Sequence, residues 1–131
     1  MPMMQTKNTE KNKKTAVVLV HNEIVVNAVK KVLETVGFEA RQDVESCQRA
    51  RMGFIGAYFV FLGLIRRLRA VNSSLPLVLI ESGENGLDEK PEYVKEFYDV
   101  IKFDKYDEKE VSQKLAQWFS EGQGKFLVKE E

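Results

Sequence analysis

His21, Asn22 and Glu23 place an imidazole, an amide and a carboxylate side by side in the run "VVLVHNEIVV". Such a trio can help to hold a cation or to handle a phosphoryl group. It can equally do no more than end a strand and start a helix, a corner at which Asn is favoured. Other residues with chemical potential are Gly63, at the end of a long apolar run, then Glu81 and Ser82, and finally Asp104, which lies between Lys102 and Lys105. What these groups can do together depends on the elements that carry them.

Residues 15–20 are apolar and rich in β-branched side chains, as in a strand covered on both faces. From Ile24, the apolar residues Val25, Ala28, Val29, Val32, Leu33 and Val36 recur at spacings of three and four, which predicts a helix stopped by Gly37. "FEARQ" predicts a second strand, and residues 44–52 a short helix. "GAYFVFLG", the most apolar segment, predicts a central third strand running into a helix "LIRRLRAV". "LPLVLIESG" predicts a fourth strand with Pro76 at its start. A loop and a helix from about Lys90 follow, with Pro91 in the first turn, and then a fifth strand "DVIKF". Asp107 and Glu110 form a capping-box pattern ahead of a last helix with Val111, Leu115, Trp118 and Phe119 inward. The expected organisation is a polar tail over 1–14, one domain over 15–121 and a second tail over 122–131.

Five alternations of strand and helix predict an α/β fold, a parallel sheet with helices on both faces. Ligands of such sheets bind beyond the carboxyl ends of the strands. That rule draws His21, Asn22, Glu23, Gly63, Glu81, Ser82 and Asp104 to one edge.

In element order and local pattern, "VVLVHNEIVVNAVKKVLETVGFEA", "LIRRLRAVNSSLPLVLIES" and "KYDEKEV" resemble successive parts of a response-regulator receiver domain over about residues 15–120. The resemblance implies a flavodoxin-like, CheY-like three-layer sandwich with strand order 2-1-3-4-5. It also implies a role in two-component signal transduction or a phosphorelay. In that family an acidic pair after strand one binds Mg²⁺ and an aspartate ending strand three accepts a phosphoryl group. A Thr or Ser after strand four and a Lys after strand five contact the phosphate. The chemistry needs hard oxygen ligands for the metal and cations against the developing charge.

Here the acidic pair falls on His21 and Asn22, and the acceptor position on Leu62 or Gly63. The hydroxyl position falls on Glu81 or Ser82, and the lysine position on Phe103 or Asp104. The resemblance thus implies a pseudo-receiver, with the fold kept and aspartyl phosphorylation lost. Communication would pass through the family's usual partner face, drawing here on Tyr93, Phe97, Tyr98, Lys102 and Tyr106. The implied partners are signalling proteins, with a homodimer as an option. Two alternatives stand beside this reading: a phosphoryl carrier using His21, and a small-ligand or cation-binding regulatory domain in which Glu23, Glu81 and Asp104 rebuild an acidic corner.

Composition excludes several other classes. Lys plus Arg equals Asp plus Glu over the 131 residues, so no global charge points to nucleic acid or membrane. The charges are nonetheless segregated: residues 1–80 carry a net +6 and residues 81–131 a net −6, with all six arginines between 41 and 69. One cysteine, Cys47, and one histidine cannot build a familiar Cys/His zinc site. No secretory signal is visible at the start, and the longest apolar run is too short to span a bilayer. A cytoplasmic, non-enzymatic protein without a cofactor or resident metal is the expectation. No P-loop, GxGxxG, GxSxG or HExxH pattern occurs.

Overall fold

The computed structural model describes residues 14–56, 62–82, 97–105 and 107–128. Strand β1 (Lys14–Leu19) is buried at Ala16, Val17 and Val18 in succession, so it has core on both sides. Such a strand belongs in the middle of a covered sheet, and it pairs in parallel with both β2 (Phe38–Arg41) and β3 (Met52–Gly56). Strand β4 (Leu77–Ser82) lies between β3 and β5 (Asp99–Phe103), which completes a five-stranded parallel sheet in the order β2-β1-β3-β4-β5. The α/β architecture and the strand order agree with the sequence reading.

Helix α1 (Glu23–Thr35) and helix α3 (Glu108–Ser120) cover one face. Val25, Val29, Val32 and Leu33 of α1 meet Val111, Leu115, Trp118 and Phe119 of α3 over Val18, Phe54, Val78 and Ile80. Leu33 and Leu115 are both fully buried, and burying a side chain of that size stabilises by roughly 1.5–3 kcal/mol. Helix α1 ends as its sequence predicts: Gly37 has φ 88°, a left-handed conformation that favours glycine. The other face carries a 3-10 helix (Val44–Gln48) and helix α2 (Leu62–Val71). Cys47, Leu64, Ile65 and Leu68 pack there on Val17, Ile55, Leu77 and Leu79. Among the described residues no helix is long and apolar enough to cross a membrane.

Two expectations need correction. Strand three starts before the "GAYFVFLG" segment, of which residues 57–61 lie outside the described residues. Its described part is Met52–Gly56, and Gly63 sits exposed in the first turn of α2 rather than in a strand. The short helix expected over 44–52 is correspondingly only the 3-10 helix, which stops at Gln48. The physical reason is that "MGFIG" contains two glycines, which usually weaken a strand. Here close packing needs them small: a Cβ on Gly53 would come within 3.2 Å of Leu77 Cδ2, and one on Gly56 within 3.3 Å of Val20 Cγ1.

Beyond α3, where the sequence pattern gives no element, Gln123–Phe126 form a second 3-10 helix that folds back on α3. Gly124 is buried against the Trp118 ring, and Leu127 and Val128 pack on the core under α1 and α3. Lys14 Nζ donates to the Val128 carbonyl at 3.2 Å, tying this segment to the start of β1. The helix expected from about Lys90 lies outside the described residues.

Candidate functional site at the carboxyl edge of the sheet

The carboxyl edge begins with His21, which is exposed on the bend after β1. Asn22 follows as the N-cap of α1. Its Oδ1 accepts from Ile24 N at 2.8 Å and from Val25 N at 3.2 Å, which satisfies two amides that a helix start otherwise leaves open. Glu23 is exposed in the first turn, where a carboxylate complements the helix dipole. The "HNE" corner is therefore put to structural use at Asn22 and Glu23.

Glu81 is the penultimate residue of β4 and, although charged, is only 5 % exposed. The β4–β5 register sets it opposite Lys102, and Lys102 Nζ stands 3.5 Å from Glu81 Oε1. A buried carboxylate is costly unless it is paired, and Lys102 supplies the opposite charge from the neighbouring strand. Ser82 ends β4 opposite Phe103. The two strand ends that would handle a phosphate in a receiver thus present an acid paired with a base.

Asp104 lies exposed in the turn after β5, and its backbone amide donates to Glu110 Oε2 at 2.6 Å. Lys105 N donates to Glu110 Oε1 at 3.3 Å. Those amides, with the Asp104 contact first and Lys114 Nζ at 3.6 Å adding to them, hold the Glu110 carboxyl below the usual carboxylate range. The capping box is therefore half realised. Asp107 Oδ1 accepts from Lys109 N at 2.8 Å and Glu110 N at 3.3 Å, while Glu110 clamps the preceding turn instead of closing the box. Glu110 is the residue at this edge whose role sequence reasoning missed. The signal was its spacing of six from Asp104, the residue after β5, and not its spacing of three from Asp107.

The structure thus brings Glu81 and Lys102 together, uses Asn22 as a cap, leaves His21, Glu23 and Asp104 exposed around them, and removes Gly63 to a helix. Among the described residues no three His, Cys, Asp or Glu side chains are placed to hold a metal ion, the trio Glu23, Glu81 and Asp104 included.

Of the expected partner face, Tyr93 and Tyr106 lie outside the described residues. Phe97 packs partly into the core under α2. Tyr98 is 38 % exposed and donates its hydroxyl to the Gln123 carbonyl at 2.9 Å. Lys102 is exposed although paired. Cys47 is buried in the 3-10 helix, and burial, aided by the Asp43 carboxylate, pushes its thiol up to about 11, so it offers no thiolate nucleophile near neutral pH.

No protein-family model matches the chain, and no curated protein matches it. Among solved structures it is similar to a response regulator receiver domain (CheY-like) from Methylobacillus flagellatus. The TM-score is 0.56 at 18 % identity, over 79 % of this chain and 97 % of the other. A response regulator receiver protein from Sinorhizobium medicae aligns over 86 % of this chain and 98 % of its own at 11 % identity, with a TM-score of 0.48. At such identities the likeness to the first is one of fold, and the second adds nothing to it.

Proposed function

We propose that the chain is a receiver-like signalling module that acts by contact with other proteins and carries no aspartyl phosphate. One observation carries this reading and does not depend on the register of strand three: between residues 46 and 80 there is no Asp or Glu. Strand β3 begins and ends inside that interval, at Met52–Gly56, and so does all of α2. An acceptor carboxylate following β3 would have to come from a stretch that contains none.

The rest of the edge supports the same reading. Asn22 is engaged with helix amides and Glu81 with Lys102, so neither of these two residues is available as a metal ligand or a hydroxyl in the familiar form. With no acceptor, activity is constant or set by a partner. The contact surface in this reading is the outer side of β5 and α3, around Tyr98 and Lys102, with the cytoplasm as its setting. A phosphoryl carrier using His21 is the second reading, favoured only by the exposure of that side chain at the edge.

Intact-mass measurement after incubation with acetyl phosphate and Mg²⁺, and separately with phosphoramidate, tests the proposal. The expected result is unmodified protein. A phosphoryl adduct that disappears in His21→Ala would replace this reading with the carrier, and an adduct that survives the change and maps to a carboxylate would overturn it.

A further inference from the structure

We propose that the outer surface of α2, with Arg49 and Arg51 beside it, docks an acidic segment of a partner protein. This surface lies on the opposite face of the sheet from α3 and is independent of the carboxyl edge.

The starting point is a concentration of positive charge. Residues 46–80 hold five arginines, no lysine and no carboxylate, a net of +5 in a chain whose total is zero. Helix α2 turns Leu64, Ile65 and Leu68 inward and leaves Arg66 and Arg67 exposed. The 3-10 helix abuts it: Asn72 Nδ2, just past the end of α2, donates to the Cys47 carbonyl at 3.0 Å, and Cys47 shares a core with Leu64, Ile65 and Leu68. Arg49 stands exposed at the end of that 3-10 helix, with Arg51 half-buried two residues on.

The fate of other cations sharpens the point. Arg41 reaches Glu39 at 3.3 Å and Asp43 at 3.7 Å, Lys31 reaches Glu108 at 2.9 Å, and Lys114 reaches Glu110 at 3.6 Å. Arg69 is held by the Leu75 carbonyl at 2.5 Å. Arg49, Arg51, Arg66 and Arg67 make no ion pair among the described residues. Guanidinium groups left in this way are preorganised forks for carboxylates and phosphates, which they bind in bidentate fashion.

Three features favour an acidic protein over a nucleic acid. The surface is short, since a ten-residue helix spans only about 15 Å. Neither element contains an aromatic residue, so neither has a ring on which bases could stack. Val71, at the end of α2, is among the few large apolar side chains left exposed, at 36 %, and arginine beside exposed apolar surface is the composition of protein–protein contacts. The fitting occupant is a segment with carboxylates recurring every three or four positions, an acidic helix face.

Fluorescence anisotropy with a labelled alanine-based helical peptide bearing glutamate at that spacing tests the inference, beside a labelled DNA duplex and at low and physiological salt. The peptide is expected to bind more tightly than the duplex. The double variant Arg66→Glu/Arg67→Glu should lose at least about tenfold in affinity, as expected when central arginines of a contact are reversed, while Lys109→Glu on α3 changes little. Arg66→Gln/Arg67→Gln, with no new charge, should fall between. Tighter binding of the duplex, no binding of the peptide, or binding that survives both double variants would each overturn the inference.

Discussion

The two layers that flank the sheet are built from different materials. Between α1, α3 and the sheet lies an aromatic cluster: Phe54 meets Trp118 at 5.8 Å and Phe119 at 6.2 Å between ring centroids, all edge to face. Trp118 Nε1 donates to Asp99 Oδ2 at 2.7 Å, and the other oxygen of Asp99 accepts from Val100 N at 2.8 Å. The C-terminal turn then closes over Trp118. Between α2, the 3-10 helix and the sheet, the buried side chains among the described residues are aliphatic and pack around Cys47, with Phe97 partly buried at their margin and arginines outside. The difference teaches that side-chain specificity is concentrated on the first face. On the second, an ordinary interior supports an exterior whose Arg66 and Arg67 make no ion pair among the described residues.

The largest test of that contrast is a pair of truncations. Phe54→Ala is expected to destabilise by about 4 kcal/mol and Leu68→Ala by about 3 kcal/mol, because the aromatic site loses ring contacts that a small side chain cannot replace. Urea unfolding checks the order, and a reversed order would break the comparison. Gly124→Ala comes next. A Cβ there would overlap the Trp118 ring, so the C-terminal turn must lift or the ring must move, at a cost of about 2 kcal/mol. A change in Trp118 emission should accompany it, since the indole would leave Asp99. An unchanged spectrum with unchanged stability would mean that the turn does not seal this layer.

Smaller effects belong to the helix starts. Asn22→Ala should cost about 1 kcal/mol in thermal or urea unfolding, and Asn22→Asp should restore the cap. If alanine were neutral, the structural account of the "HNE" corner would fail. The smallest effect is acid-dependent. The folded Glu110 carboxyl lies below its unfolded value, so its contribution is present above the ordinary carboxylate range and is lost as pH falls through the folded value. The amide signals of Asp104 and Lys105 should report that low titration by NMR, and Glu110→Gln should abolish it. The group lies at the surface, half-buried and open to solvent screening, and the stability change is correspondingly small.

The contrast also explains what could be read from the residues alone. Helix α1 was legible because its inward positions, its Asn22 cap and its Gly37 stop agree with one another. Helix α3 was legible in the same way. The start of strand three was not, because a strand buried on both faces has no alternation, and length and composition favour a start at the bulkier residues after Gly56 over one at Met52. The glycines of "MGFIG" make sense only once Leu77 and Val20 are seen against them. The placement of Gly63 failed with that strand. The pairing of Glu81 with Lys102 depends on the register between two strands, and the clamp by Glu110 depends on the turn that joins β5 to α3. Neither is a local property of sequence. The exposure of Arg66 and Arg67 could be anticipated, but that they make no ion pair among the described residues required the folded neighbours to be known.

The most direct test of the central claim, a receiver fold whose edge no longer carries aspartyl phosphate, is an amide NMR titration with Mg²⁺ alone and then with beryllofluoride, a mimic of that phosphate. The account predicts no saturable shifts at residues 20–24, 54–56, 81–82 and 102–105. Saturable shifts clustered at those positions would contradict it, because they would show a working metal and phosphate pocket at the carboxyl edge.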